Sequence, residues 1–251
     1  MSVIPELSIV IPALDEEGNV GPLIDEVASR VRDEGVEAEL IIVDDGSSDR
    51  TLAVLRERQA TTPWLRVLHR DEPRGQSAAM AAGIAAARGA YVATLDADLQ
   101  NDPGDLPVML RKAKEENIDL VQGDRSANRQ DHAIRRWSSA VGRYARGLLV
   151  GDHTRDTGCS ARVMRAAYAK QIPLQYRGMH RFIPATVRLL GGTIAEVRVS
   201  HRARHSGTTK YGLGLLNRGF AGFFDCLAVR WMSNRVRDTS VEEVRAEGEG
   251  A

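Results

Sequence analysis

Five short aliphatic or β-branched runs, Leu7–Ile11, Leu40–Val43, Leu65–Leu68, Tyr91–Leu95 and Asp119–Val121, start every 25 to 33 residues along the first half of the chain. Continuous apolar runs of this length predict strands buried on both faces. Between them the pattern predicts helices over Val20–Val31, Thr51–Gln59, Ser77–Arg88 and Asp105–Glu116, with Pro22 and Pro107 near two starts and Gly35 and Gly89 just after two ends. Strand and helix alternating at this spacing mean βαβ units, a parallel sheet and an α/β fold. Ligands of such sheets sit beyond the carboxyl ends of the strands, so the residues following each run are where chemistry is to be sought.

From about residue 125 the rhythm changes. A basic, helix-prone stretch Ala133–Leu149 is followed by a short segment Cys159–Met164, a helix candidate Arg181–Leu190, a strand Thr193–Val199 and a basic loop His201–Tyr211. Leu213–Met232 reads as a helix on which Leu216, Phe220, Phe223, Phe224, Leu227 and Trp231 share one stripe, with Asn217, Arg218 and Asp225 roughly opposite. The last fifteen residues read as a solvated, mostly disordered tail.

The composition of the 251 residues, 43% hydrophobic and 27% charged, supplies a globular core and excludes disordered and fibrous classes. The formal net charge is zero, which gives no reason to expect nucleic acid as a partner. Its distribution is uneven: acidic residues outnumber basic ones 24 to 12 over 1–124, and basic outnumber acidic 21 to 5 over 125–237. Thirty of the 34 basic residues are Arg, a side chain suited to bidentate phosphate binding, although a GC-rich genome gives the same excess. Cys159 and Cys226 form no C-x-x-C pattern, which argues against a zinc ribbon or a disulfide framework and for a reducing compartment. No secretory leader pattern and no run of eighteen uninterrupted apolar residues is present, so the expected location is cytoplasmic.

Three strand ends carry the candidate chemistry: Pro12-Ala13-Leu14-Asp15-Glu16-Glu17, Asp44-Asp45-Gly46-Ser47-Ser48-Asp49 and Asp96-Ala97-Asp98-Leu99-Gln100. Asp96 and Asp98, with the Gln100 amide two residues on, offer hard oxygen ligands to Mg²⁺ or Mn²⁺ and leave positions for substrate phosphates. The alternative is that they only cap the following helix, a task for which Asp102 and Asp105 stand better placed. Asp44 and Asp45 before Gly46 form either a tight turn or a carboxylate contact to a base or ribose. No G-x-G-x-x-G follows a strand, and neither a P-loop nor a G-x-S-x-G motif exists, which weakens dinucleotide, NTPase and α/β-hydrolase readings.

These motifs, together with Gly75 and Ala78-Ala79, Ala86-Ala87-Arg88-Gly89, Gly123-Asp124-Arg125, Arg155-Asp156-Thr157-Gly158-Cys159-Ser160 and Arg204-His205-Ser206-Gly207-Thr208-Thr209-Lys210-Tyr211, resemble family 2 glycosyltransferases over roughly residues 5–215. The Leu-Gln after Asp-Ala-Asp makes the sequence similar to the polyprenyl-phosphate, or dolichol-phosphate mannose synthase, type. The resemblance implies a GT-A fold with a Rossmann-like, mostly parallel nucleotide-binding sheet and helices on both faces. It implies that Pro12, Leu14, Glu16, Asp44, Asp45 and Gly75 contact the nucleotide, that Asp96, Asp98 and Gln100 hold Mg²⁺ or Mn²⁺ against the donor diphosphate, and that Arg204 and Lys210 belong to a mobile loop closing on it. Arg125, Arg135 and Ser139 correspond to the acceptor-phosphate site, with Asp98, Arg125 and Arg135 as the catalytic set.

The implied activity is inverting transfer of a sugar from a UDP- or GDP-sugar to an undecaprenyl or dolichyl phosphate at the inner face of the cytoplasmic membrane. The alternative is a family 2 enzyme with a soluble or polysaccharide acceptor. Residues 1–212 would form the catalytic domain, with 1–124 as its nucleotide-sugar and metal half and 125–212 as its acceptor half. Residues 213–235 would be an amphipathic helix facing membrane or partner, and 236–251 a disordered tail. Many relatives carry membrane-spanning helices after the Lys-Tyr motif. Here Leu213–Met232 stands in that place, as a peripheral membrane contact, as a dock for a small membrane subunit, or against its own core or a second copy.

Overall fold

The structure, a computed structural model, describes residues 4–126, 146–202 and 215–235. The first half alternates as its apolar pattern predicts: β1 (Leu7–Ala13), α1 (Val20–Val27), β2 (Ala38–Asp45), α2 (Thr51–Thr61), β3 (Leu65–Arg70), α3 (Gln76–Ala86), β4 (Tyr91–Thr94), α4 (Asp105–Glu115) and β5 (Leu120–Asp124). The helix expected over Val20–Val31 is α up to Val27 and widens into a π-turn over Ala28–Arg32. Beyond residue 146 follow β6 (Arg162–Arg165), α5 (Ala166–Ala169), a 3₁₀ turn Met179–Phe182, α6 (Ile183–Leu189), β7 (Ile194–Arg198) and α7 (Leu215–Ser233). The helix expected over Arg181–Leu190 thus begins as 3₁₀ and becomes α at Ile183, where Pro184 suits a first turn that needs no N–H donor.

All seven strands join one sheet in the order β3-β2-β1-β4-β6-β5-β7. β1 pairs in parallel with β2 on one side and β4 on the other, so the chain reverses its direction of travel across the sheet between these two neighbours. A crevice opens at such a switch point, beyond Ala13 and Thr94. The pattern did not foretell β6. It runs antiparallel to both β4 and β5 and separates them, so the second half of the chain is woven into the sheet of the first.

Side chains alternate between two apolar layers. Leu7, Ile9 and Ile11 pack with Leu23, Val27, Leu106 and Met109 on one face, while Val10, Ile41 and Val43 pack with Met80, Ile84, Ile183, Cys226 and Val229 on the other. Each fully buried side chain of this size stabilises the fold by about 1.5–3 kcal/mol. α3 lies close on β1 because Gly83 has no side chain: a Cβ there would fall 2.3 Å from Val10 Cγ1. α7 docks through Cys226 and Val229, which are buried, whereas Phe223, Phe224, Leu227 and Trp231 of the expected stripe are exposed. Among the described residues no helix is long and apolar enough to cross a membrane. The tail 236–251 lies outside the described residues.

Candidate active site

Two strand-end loops are stitched into one rim. After β1, the backbone nitrogens of Asp15, Glu16 and Glu17 donate to Ser47 Oγ, Thr51 Oγ1 and Asp49 Oδ2 of the loop after β2. In return Asp15 Oδ1 accepts from Ser48 N and Glu17 Oε2 from Arg50 N. Pro12, Leu14 and Glu16 are half-buried along this rim, and the Glu16 carboxylate accepts from the Asn19 amide.

Asp44 and Asp45 shape the rim from inside. Asp44 is fully buried, with Oδ1 accepting from Ser47 and Oδ2 lying 2.7 Å from His69 Nδ1. Asp45 accepts from Arg74 N and Gly75 N and pairs with Arg70 Nε at 3.2 Å, which ties the loop before α3 to the end of β2. Gly46 must be glycine here: its φ is +81°, and a Cβ would meet the Glu72–Pro73 backbone at 2.8 Å. Gly75 precedes α3 with φ +89°, a backbone state that side chains disfavour. Both aspartates therefore hold the geometry of the expected nucleotide loops, with their carboxylates turned to protein donors.

At the crevice itself, Asp96 and Asp98 follow β4. Asp96 Oδ1 accepts from Gln76 Nε2 at 2.8 Å, and a second bond comes from the Ser160 side chain. Burial and the neighbouring Asp98 charge push the Asp96 pKa up, while Arg162 and Arg125 pull it down. Asp98 is buried, with Oδ1 accepting from Gln100 N at 3.2 Å across Leu99, whose φ of +61° makes the sharp turn between them. The Gln100 amide nitrogen turns to the Arg202 carbonyl at 3.4 Å, and Arg202 N donates to Gln100 O at 2.8 Å.

This chemistry fits a divalent cation. Two neighbouring carboxylates raise each other's energy, an opposed double charge relieves that repulsion, and Gln100 retains its amide oxygen as a third hard donor. Among the described residues no cluster of three or more His, Cys, Asp or Glu side chains has metal-holding geometry, so the remaining ligands of such an ion would be substrate oxygens and water.

Facing this pair is Arg125. Its Nε and Nη2 donate to the two Asp156 oxygens at 2.8 and 3.2 Å, and both side chains are nearly buried. Burial opposes its charge, yet the Asp156 hydrogen bond and charge outweigh it and the Arg125 pKa is raised. Nη1 has no hydrogen-bond partner among the described residues. Beneath lies Arg162, buried in β6, with Nε on Gln122 Oε1 and Nη2 on the Thr157 carbonyl.

The structure thus brings Asp96, Asp98, Gln100 and Arg125 together at the sheet's switch point. Arg135, Ser139, Arg204 and Lys210 lie outside the described residues. Gln76, Ser160, Asp156 and Arg162 join the site without having been assigned to it from the sequence, because each reaches it through a tertiary contact. For Asp156 and Ser160 a signal existed: both stand in the Arg-Asp-Thr-Gly-Cys-Ser segment.

The sequence model of the family described as glycosyl transferase family 2 matches residues 8–172, about two thirds of the chain. The chain belongs to this family. Among curated family relatives, a dodecaprenyl-phosphate galacturonate synthase of Rhizobium johnstonii is 40% identical over 229 residues, covering 89% of this chain and 66% of the relative. An undecaprenyl-phosphate 4-deoxy-4-formamido-L-arabinose transferase of Pseudomonas aeruginosa is 35% identical over 218 residues, covering 85% and 63% respectively. The chain therefore spans just under two thirds of the length of these relatives. Glucosyl-3-phosphoglycerate synthase from Mycobacterium tuberculosis, solved with Mn²⁺ and UDP, superposes with a TM-score of 0.62 at 22% identity over 94% of this chain and 82% of that one. At that identity the likeness concerns the fold, which is the GT-A type with a mostly parallel seven-stranded sheet.

Proposed function

We propose that this family 2 glycosyltransferase moves a sugar, with inversion, from a UDP- or GDP-sugar to a polyprenyl phosphate at the cytoplasmic face of a membrane. The observation that carries the reading is the carboxylate pair Asp96 and Asp98 set against the buried cations Arg125 and Arg162 at the switch point. Such a crevice brings two anions, a diphosphate and a phosphate, close together, which is the task this reaction sets. The two relatives, a polyprenyl-phosphate synthase and a polyprenyl-phosphate transferase by name, support the acceptor class.

In this reading Pro12, Leu14, Glu16, Asp44, Asp45 and Gly75 line the nucleotide cradle, and Asp44 and Asp45 also keep its loops in place. Asp96, Asp98 and Gln100 hold Mg²⁺ or Mn²⁺, which as a Lewis acid stabilises the leaving diphosphate. Arg125, fixed by Asp156, offers Nη1 to the acceptor phosphate, with Arg135 and Ser139 completing that site and Arg204 and Lys210 covering the donor. A phosphate monoester is already anionic near neutral pH, so orientation rather than a strong general base governs the attack on the sugar's anomeric carbon.

The exposed residues Phe223, Phe224, Leu227 and Trp231, flanked by Arg230 and Arg235, supply an apolar face with a basic edge for the membrane interface. The test is transfer of labelled sugar from a panel of UDP- and GDP-sugars, with Mn²⁺ or Mg²⁺, into an organic-extractable polyprenyl phosphate product. A lipid-linked product is expected. Transfer to a water-soluble acceptor alone would replace the acceptor class while leaving the family standing.

A further inference from the structure

The first turn of α3 holds a second contact beside Gln76. Ser77 is buried at the next position, with Oγ 2.8 Å from His180 Nδ1 and 3.3 Å from the His180 backbone nitrogen. The backbone N–H is a donor and Ser77 Oγ accepts from it; with the hydroxyl hydrogen directed to Nδ1, the ring proton sits on Nε2. Nε2 has no hydrogen-bond partner among the described residues. The His180 backbone is itself pinned: Gly178 enters the 3₁₀ turn in the left-handed region at φ +86°, and Met179 and Phe182 are buried on either side.

Electrostatics keeps the ring uncharged. Burial, then the positive charges of Arg181 and Arg162, push the His180 pKa down to about 4. Arg162 acts on Asp96 as well, so histidine and carboxylate share one electrostatic neighbourhood. The link through the backbone is equally short: Ser77 holds His180, and the adjacent Gln76 holds Asp96.

Resting on the donor-site reading above, we propose that His180 is a specificity-determining contact to the donor sugar: its Nε2–H, oriented by Ser77, donates to an oxygen of the sugar being transferred. The contact deepens that reading by separating two parts of the crevice. The rim after β1 and β2 takes the nucleoside, the carboxylate pair takes the diphosphate, and the wall formed by α3 and the 3₁₀ turn takes the sugar. A neutral, fixed donor suits that position, since a hydroxyl or carboxylate oxygen of the sugar can be read there without adding charge beside the anions. Ser77 acts through His180 and is a positioning residue.

The experiment is titration calorimetry with Mn²⁺ on the full chain, comparing UDP and GDP with their glucose, galactose, glucuronate, galacturonate and N-acetylglucosamine esters. The variants are His180→Ala, His180→Gln, Ser77→Ala and Ser77→Thr, each checked for a wild-type circular dichroism spectrum. His180→Ala should leave nucleoside diphosphate affinity within about twofold and weaken the preferred nucleotide sugar roughly three- to tenfold, the worth of one neutral hydrogen bond. His180→Gln, which keeps an amide donor, should recover part of the loss. Ser77→Ala should lose less than His180→Ala, and Ser77→Thr, with its hydroxyl, should bind as wild type. Equal weakening of nucleoside diphosphate and nucleotide sugar, or no change in either, overturns the His180 contact while leaving the donor site intact. Failure of the wild type to bind any nucleoside diphosphate overturns the donor-site reading and this contact with it.

Discussion

Gln76 Nε2 donates to Asp96 Oδ1 at 2.8 Å, joining the first turn of α3 to the end of β4 across the crevice. The bond holds the Asp96 carboxylate, which also accepts from the Ser160 side chain beside the Asp98 charge. A carboxylate held this way meets a cation without first reorganising. Replacing Gln76 with Leu removes the donor at similar volume and leaves one buried oxygen without its partner. Mn²⁺ affinity in the presence of nucleoside diphosphate should fall about 10- to 100-fold, as expected for a residue that orients a ligand. Electron paramagnetic resonance of bound Mn²⁺ reads this directly, and an unchanged affinity would remove Gln76 from the site.

Asp98→Ala tests the cation site at its centre. The side chain is buried beside Asp96, and its removal relieves a repulsion, so thermal stability should hold or rise slightly. Metal-dependent transfer should be abolished. Full activity in that variant would mean that the cation, if used, is held elsewhere.

The Arg125–Asp156 pair makes a prediction about folding rather than turnover. Both side chains are nearly buried and linked by two hydrogen bonds. Asp156→Ala leaves a buried guanidinium without its counter-charge, which costs about 3–5 kcal/mol. Urea unfolding should show that loss, and Asp156→Asn, which keeps an acceptor oxygen, should show a smaller one.

The apolar runs that mark β1 to β5 were legible in the sequence, most plainly in β1 and β2, which lie inside the sheet with nearly every side chain buried and so need unbroken hydrophobicity. β6 was not legible. Its sequence Arg162-Val163-Met164-Arg165 begins and ends on charge, and Arg162 is tolerated inside the sheet only because Gln122, distant in sequence, and the nearby Thr157 carbonyl satisfy its donors. The Asp-Ala-Asp-Leu-Gln segment offered a cluster of hard oxygen donors through residue type and spacing alone. What orients it was hidden, since Gln76, Ser160 and Asp156 act across separations that only the folded sheet closes. The partners of Asp44 were equally unreadable: its burial against His69 and Ser47 depends on β3 lying beside β2. On α7 the wheel showed one apolar stripe, and the fold chose the neighbouring face, Cys226 and Val229, for the core.

The depressed pKa of His180 has a consequence for stability against pH. In the folded protein the ring stays neutral down to about pH 4, whereas the unfolded chain takes up a proton near the ordinary histidine value of 6.5. Between these values the unfolded state binds more protons, so stability falls as pH is lowered, with a slope approaching about 1.4 kcal/mol per pH unit from this one group. The lowered pKa of Glu39 adds loss in the same direction as it protonates at lower pH. The His180 share is isolated by subtraction: between pH 6.5 and 4, the stability curve of His180→Gln should be flatter than that of the wild type. Parallel curves would mean that the ring is solvated and charged like a free histidine.

The split faces of α7 give the last prediction. Cys226 and Val229 anchor the helix to the core, and Arg230 Nη1 donates to the Leu149 carbonyl at 2.9 Å, so the helix has contacts of its own that do not involve the exposed stripe. Phe223 and Phe224 stack edge to face with centroids 6.1 Å apart, and the Arg235 guanidinium lies 4.4 Å over the Trp231 ring. An aromatic face with cations at its margin gains from burial among acyl chains and from anionic headgroups together. Phe224→Ser with Trp231→Ser should therefore weaken binding to vesicles containing anionic phospholipid by at least about tenfold, since each such side chain contributes about 1.5–3 kcal/mol on burial. The melting temperature should stay within a few degrees of wild type, because neither residue is part of the core. Wild-type binding should weaken with added salt and with neutral vesicles. Undiminished vesicle binding in the double variant would assign the stripe to a protein partner or a second copy of the chain, and sedimentation of the wild type would then distinguish these two.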